Sequence, residues 1–303
     1  MSICYIDCSP FMRELMDEVA DIHAGAICVN VGDPGVDELV RLASGHDVLM
    51  NGHSFMNDDV LGRLPDLRRI VFLGSGASSY IDVAAAGRRG IEVLTVTGYG
   101  DRSVAEHATA LMFAAARQLV RMDRAVRDGG WDPLEGIELA GRTIGIIGFG
   151  GIGQEMARIA RALGMVPLIW NRRPVDAEWS ACQATSLEQL LRESDVISLH
   201  LALTSETRGL LGGPEFELMK RGALLVNTAR AGLIDQKALL DALGTGRLRH
   251  AALDVFDEEP LPPDNPYGAM DNVTLTAHAG FKTRAASRRL LRDALLKALA
   301  PVS

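Results

Sequence analysis

Cysteine is scarce in this chain. Four residues, Cys4, Cys8, Cys28 and Cys182, occur among 303, and none forms a C-x-x-C pair or a Cys/His cluster in sequence. A disulfide scaffold and a zinc-type ligand spacing are both excluded, so the thiols are expected to be reduced and packed as small apolar groups, with no metal. A basic excess is missing too: 31 basic against 39 acidic residues give a net charge of -8. Nucleic acid and anionic membranes are therefore not expected partners. No apolar run approaches the length of a membrane span, and the opening MSICYIDCSP has neither the basic n-region nor the apolar core of a signal peptide. A cytoplasmic protein is the expectation. Repeats and low-complexity segments are absent, and 48% hydrophobic with 23% charged residues is an ordinary globular composition, long enough for two domains.

What is present is an alternation of short apolar runs with helical patterns, the signature of a parallel α/β fold. Strands are predicted near residues 3–7, 27–31, 47–51, 69–73 and 91–96, with a helix from Pro34 to Ala43 in which Asp33 caps and Pro34 takes the first position. This first unit ends near Gly100. Residues 102–128 contain no Gly or Pro and are rich in Ala, Leu and Met, which predicts one long helix bridging two domains. Gly129, Gly130 and Pro133 break it, and a second unit starts at Thr143. A last helical stretch, residues 283–300, carries Leu290, Leu291, Ala294, Leu295 and Ala298 on one broad face and can pack on either domain.

The second unit opens with GRTIGIIGFGGIGQEMARIARALGM, a G-x-G-x-x-G placed between an apolar strand and a helix pattern. Gly148 permits the tight turn, Gly150 lets the backbone approach a pyrophosphate, and Gly153 allows close helix–strand packing, while amides at the helix start favour phosphate. The strand VPLIW (166–170) then ends where a dinucleotide domain usually carries Asp or Glu for the adenosine ribose; here Asn171, Arg172 and Arg173 follow. Guanidinium groups pair with the extra phosphate of NADP, whereas a carboxylate repels it, so NADP(H) is favoured over NAD(H). The alternative is that the two arginines are a solvated loop end and NAD(H) binds through Asn171.

Three further apolar runs end in residues with chemistry: ALLVNTAR in Arg230, HAALDVFDEEP in Glu259 before its final proline, and NVTLTAHAG near His278. Ligands of an open parallel sheet bind outside the carboxyl ends of its strands, so a cation, an acid and an imidazole are expected in one crevice. Each has a plainer reading. Arg230 alone is equally a surface arginine, Glu259 belongs to the acidic run Asp257–Glu258–Glu259, and a lone histidine after a strand is more often structural. The remaining histidines, 23, 46, 53, 107, 200 and 250, take that plain reading first. His278 is the candidate for acid–base work because an imidazole titrates near neutrality, and a nearby Glu259 favours its charged form and fixes its ring.

GRTIGIIGFGGIGQEMARIA, VISLHLALTSETRGLL, FELMKRGALLVNTARAGLID, AALDVFDEEPLP and NVTLTAHAG, with SVAEHATALMFAAAR at 103–117, together resemble the D-isomer-specific 2-hydroxyacid dehydrogenase family in order and spacing over residues 70–300. The resemblance implies two Rossmann-like or flavodoxin-like parallel-sheet domains separated by a cleft: a discontinuous substrate domain, 1–101 plus 283–303, and a dinucleotide-binding domain, 102–282. It implies that Arg230 binds the substrate carboxylate and polarises the 2-keto group, that His278 gives the proton as hydride arrives, and that Glu259 holds His278 protonated and oriented. Asp254 matches the residue bonding the nicotinamide carboxamide, and Thr228 and Ala229 line the same cofactor edge. Gly151, Ile152, Ala202, Thr207 and Gly280 complete the implied cofactor contacts, and the turn Ser75, Gly76, Ala77 supplies amides to the substrate carboxylate. A homodimer joined near the helix after the first unit is also implied.

Several positions depart from the family pattern. Ala277 and Ala202 stand where prolines are usual, and Ser79 where many members have Asp. Asn51 and His53 align roughly where phosphoglycerate dehydrogenases place arginines, and their appended regulatory domain is not expected here. A phosphorylated substrate is disfavoured, and a small 2-keto acid such as glyoxylate or hydroxypyruvate fits better. Other readings are a dehydrogenase of another small anion, formate or phosphite, and a cofactor-sensing binding protein without catalysis.

Overall fold

The structure, a computed structural model, describes residues 2–23 and 27–301. The chain divides into two compact units, Met1–Gly100 with Lys282–Ser303, and Asp101–Phe281. Among the described residues, no helix is long and apolar enough to cross a membrane.

In the first unit, β1 (Ile3–Cys8), α1 (Pro10–Glu18), α2 (Ala20–His23), β2 (Ile27–Val31), α3 (Val36–Ala43), β3 (Val48–Asn51), α4 (Asp58–Gly62), β4 (Arg69–Phe72), α5 (Val83–Arg88) and β5 (Glu92–Thr95) alternate. The strands pair in parallel in the order β2-β1-β3-β4-β5, a flavodoxin-type arrangement. The inner strands β1, β3 and β4 are buried throughout, because both sheet faces are covered, whereas the edges β2 and β5 are partly exposed. The C-terminal helix Arg284–Leu299 belongs to this unit. Its apolar face, Leu290, Leu291, Ala294, Leu295 and Ala298, is buried with Leu15 and Met16 of α1 and with Met50 and Val71 of the sheet. Thr283 caps its start, accepting from the Ala286 amide at 3.1 Å. Arg69, 4% exposed, donates to the carbonyls of Lys297, Ala300 and Pro301 and pairs with Glu92 at 2.6 Å, so the helix's last orphan carbonyls are satisfied by a side chain.

One capping expectation fails here. α3 begins at Val36 with Gly35 as its N-cap and no side-chain bond, so Asp33 does not cap and Pro34 is not the first helical residue. The Asp33 carboxylate instead meets the His53 ring, Nε2 to Oδ1 2.6 Å, a partner 20 residues away that local spacing cannot reveal.

In the second unit, α6 (Asp101–Arg117) and α7 (Leu119–Arg127) precede β6 (Thr143–Ile147), α8 (Gly151–Ala162), β7 (Val166–Trp170), α9 (Leu187–Glu193), β8 (Val196–Leu199), α10 (Gly213–Leu218), β9 (Ala223–Asn227), α11 (Gln236–Gly244), β10 (Leu248–Leu253) and β11 (Val273–Leu275). The six strands are parallel in the order β11-β10-β9-β8-β6-β7, and an isolated parallel bridge joins Ile169 of β7 to Gln183. The order reverses between β6 and β8, which is where a doubly wound sheet receives its ligand. Alternate strand residues face two cores. Ile144, Ile146, Val196 and Val226 pack with Met112 of α6 and Met156 of α8; Ile147, Ile197 and Leu225 pack with Leu190 of α9, Phe216 of α10 and Leu239 of α11.

The single long helix expected over residues 102–128 is two helices. Gln118 takes a left-handed conformation, φ 52 and ψ 37, between α6 and α7. Residues 135–137 explain the break. The Ile137 amide takes the Ala116 carbonyl at 2.9 Å, and Gln118 Nε2 donates to the Glu135 carbonyl at 2.8 Å, so helix continuation is replaced by bonds to a distant segment.

Candidate active site

The glycine-rich turn is built by close backbone approach. Gly148 has φ 96, in the left-handed region, and a Cβ there would lie 2.7 Å from the His200 carbonyl group. A Cβ on Gly153 would overlap the Gly148 carbonyl oxygen. Gly150 differs: nothing lies within 4 Å of a Cβ placed on it, so the space above the turn is open. Gly150 is the N-cap of α8 and offers no side-chain acceptor, which leaves the first amides of the helix, those of Gly151, Ile152 and Gly153, for an anion. Two buried atoms, Thr228 Oγ1 and His200 Nδ1, have no hydrogen-bond partner among the described residues. An orphaned buried hydroxyl at the end of β9 and an open turn over a helix start are what a bound dinucleotide would use. Asp101 was not singled out in sequence; its carboxylate packs against Gly151, and burial, with Glu155 adding, pushes that carboxyl up.

β7 is not followed by an acidic residue but by Asn171, Arg172 and Arg173. Asn171 turns toward the glycine loop, accepting from the Phe149 amide at 3.3 Å and donating to the Arg173 carbonyl at 3.0 Å. Arg172, with an 84% exposed side chain, pairs with Glu206 at 3.1 Å, and Arg173 is exposed. Farther along, the Thr207 hydroxyl donates to the Ala202 carbonyl at 2.8 Å and accepts from the Thr204 amide at 2.8 Å, so it fixes the turn after β8.

Arg230, Glu259 and His278 leave the carboxyl ends of β9, β10 and β11, which are neighbours in the sheet. His278 Nδ1 lies 2.7 Å from Glu259 Oε2, and Glu259 Oε1 accepts from the Phe256 amide at 2.9 Å. The acid is thus held at both oxygens. With Nδ1 bonded to a carboxylate, Nε2 is the ring atom left for proton transfer. Arg230 is exposed, its Nη1 donating to the Ala229 carbonyl at 2.6 Å. Asn227 shapes that turn, donating to the Arg230 carbonyl and accepting from the Ala229 amide, both at 3.0 Å. Its part was missed in sequence, since an asparagine ending a strand carries no distinctive spacing.

Asp254 organises the segment that carries His278. It is 1% exposed; Oδ1 accepts from the Thr276 hydroxyl at 2.6 Å and the Ala279 amide at 2.9 Å, and Oδ2 from the Gly280 amide at 2.9 Å. His107 of α6 stands 3.3 Å away, and the Asp254 carbonyl accepts from the His278 amide at 2.8 Å. Burial pushes this carboxyl up, but His107, Thr276 and the two amides outweigh it and hold it at about 2. These bonds pin His278 in its left-handed backbone, φ 48.

In the first unit, the amides of Ser75, Gly76 and Ala77 donate to no other backbone group among the described residues, and Ala77 opens a short 3-10 turn, Ala77–Ser79. Free consecutive amides of this kind suit an anion. Asn51 is fully buried, exchanging bonds with Ser54 at both ends of its side chain, so it presents nothing to a phosphate.

A dinucleotide-type turn at the switch of a doubly wound sheet, with an acid-held imidazole at neighbouring strand ends, defines a nicotinamide-dinucleotide-linked oxidoreductase. Comparisons with known proteins refine this. Residues 109–280 match the family model described as D-isomer specific 2-hydroxyacid dehydrogenase, NAD binding domain. Glyoxylate reductase of Aeropyrum pernix is 40% identical over 298 residues, covering 92% of this chain and 88% of that protein. Hydroxypyruvate reductase of Thermotoga maritima is 38% identical over 260 residues, 84% of each. The TT0316 protein from Thermus thermophilus superposes with a TM-score of 0.88 at 35% identity, over 99% of this chain and 96% of that one. The chain belongs to the D-isomer-specific 2-hydroxyacid dehydrogenase family, enzymes that act on CH–OH donors.

Proposed function

We propose that this enzyme interconverts a small, unphosphorylated 2-keto acid, of the size of glyoxylate or hydroxypyruvate, and its D-2-hydroxy acid, with NADP(H) preferred to NAD(H). The observation that carries this reading is the Glu259–His278 pair, 2.7 Å apart, at the strand ends beside Arg230. The nicotinamide, when bound, supplies the hydride or accepts it. Arg230 pairs with the substrate carboxylate and draws electron density from the keto oxygen. His278 delivers its Nε2 proton to that oxygen during reduction and takes it back during oxidation, while Glu259 keeps the ring oriented through Nδ1. Ser75, Gly76 and Ala77 supply amides to the substrate carboxylate. The dinucleotide is held by Gly148, Gly150, Gly151, Ile152 and Gly153 at the pyrophosphate, and by Thr228, Ala229, Asp254, Gly280, Ala202 and Thr207 toward the nicotinamide.

The buried, self-satisfied Asn51 supports an unphosphorylated substrate, and the names of the two relatives above support a short one. The end of β7, where the chain carries Asn171 and two exposed arginines in place of an acid, supports NADP(H). A second copy of the chain is the partner, seated on α7, which buries none of its residues and exposes Leu119 (49%) and Val126 (52%), with Trp131 just beyond it (85%).

The first experiment is a panel of 2-keto acids with NADPH and NADH, run on wild type and on the Arg172→Ala/Arg173→Ala double variant. Glyoxylate or hydroxypyruvate should lead the panel. Loss of the charge-assisted bonds should raise KM for NADPH roughly tenfold to hundredfold and leave that for NADH nearly unchanged. Cofactor binding without turnover on any acid refutes the catalytic reading, and unaltered selectivity in the double variant refutes the arginines' role.

A further inference from the structure

β1 and β2 pair in parallel with Cys4 opposite Cys28, and the turn leading into β3 brings His46 to the same end of that sheet. Cys4 is packed in the core as expected, whereas Cys28 is exposed and does not fit the reading of a packed apolar thiol. One sulfur from each and a ring nitrogen of His46 all lie within 4.8 Å of one another. We infer that Cys4, Cys28 and His46 form a binding site for a borderline-soft d10 cation, Zn2+, in the first unit. It sits at the amino-terminal edge of the sheet, the end opposite the strand carboxyl ends.

Two thiolates and an imidazole are the donor set such an ion prefers over the hard cations that take only oxygen. In a tetrahedral site with Zn–S near 2.3 Å the sulfurs stand about 3.8 Å apart, so the observed spacing needs only small side-chain rotations. The competing outcome is a Cys4–Cys28 disulfide. Directly opposed residues of neighbouring parallel strands keep their Cβ atoms about 4.8 Å apart, wider than the roughly 3.5–4.5 Å that a disulfide spans. An ion bridges that gap and a sulfur–sulfur bond does not.

The histidine is also held as a ligand would be. Its Nδ1 lies 2.7 Å from the Ser2 hydroxyl, which leaves Nε2 for the ion. Ser2 itself is fixed, its amide donating to Asp47 Oδ2 at 2.8 Å and its carbonyl accepting from the Asp47 amide at 3.0 Å. Cys28 is exposed and His46 half-buried, so the ion and a fourth, water ligand can enter, while Cys4 is buried. Ion binding displaces the thiol protons of Cys4 and Cys28 to solvent, and no oxidation or reduction is involved.

The test uses the full chain, stripped with chelator under reductant and titrated with Co2+ and then Zn2+. A thiolate-to-cobalt charge-transfer absorption should saturate at one equivalent per chain, and Zn2+ should bleach it and protect two thiols from alkylation. Cys28→Ser, at an exposed position, should fold and turn over substrate as wild type does yet lose the absorption. Ser2→Ala should weaken Zn2+ binding by about tenfold or more. Absence of the band, an equal band in Cys28→Ser, or a Cys4–Cys28 disulfide in air-purified protein overturns the site.

Discussion

His278 is a non-glycine residue with φ 48, a conformation that costs an L-residue of the order of 1 kcal/mol. It is held there by its amide bond to the Asp254 carbonyl and by the amides of Ala279 and Gly280 on the Asp254 carboxylate. The ring then meets Glu259 at 2.7 Å. Replacing His278 by Ala should lower kcat roughly 10²-fold or more with little change in KM for the cofactor. Glu259→Gln keeps an acceptor for the Phe256 amide but removes the charge behind the ring, so kcat should fall at least about tenfold. Steady-state kinetics with the best acid of the panel decides both, and a His278→Ala enzyme of near-normal kcat would remove the histidine from the proton step. The placement of Arg230, Glu259 and His278 at neighbouring strand ends was legible from residue type and apolar runs. The supporting bonds of Asn227, Thr276 and His107 were not, because each joins positions that only folding brings together.

At the scale of the element, the turn between β6 and α8 depends on helix and strand backbones nearly touching. Gly153 sits where a methyl group would overlap the Gly148 carbonyl oxygen. Gly153→Ala should destabilise the second unit by about 1–3 kcal/mol and weaken NADPH binding, as read by urea unfolding and fluorescence titration. A variant as stable and as tight-binding as wild type would show the turn to be slack. Strand positions were legible because buried parallel strands are nearly continuous apolar runs; Thr143–Ile147 and Val166–Trp170 fall where the pattern puts them. The break at Gln118 and the late start of α3 were not, since both are decided by bonds to residues far along the chain.

At the scale of the whole molecule, two histidines, His250 buried and His200 half-buried, make stability depend on pH. Burial lowers His200 to about 4, and burial with Arg249 lowers His250 to about 4. An unfolded imidazole takes its proton near 6.5, so the unfolded state binds more protons than the native one between those values. Stability is fully present above pH 6.5 and is lost as pH falls toward 4, by up to about 1.4 kcal/mol per pH unit for each histidine. Urea midpoints from pH 7 to 4.5 should show this, and His200→Asn should flatten the fall by about half; an unchanged profile would exclude His200. Assembly belongs to the same scale. Sedimentation should give a dimer for wild type and a monomer for Leu119→Glu/Val126→Glu, and a monomeric wild type would refute the second copy as the partner of α7.

The order of residue types by itself determined the parallel α/β class, the glycine turn and the family, because apolar periodicity and motif spacing are local properties of the chain. Tertiary structure alone decided which strand pairs with which. That pairing set Cys4 against Cys28 beside His46, closed the Asp254 knot on the His278 segment, and broke the helix at Gln118. Each depends on contacts between residues distant in sequence, which no local spacing reveals.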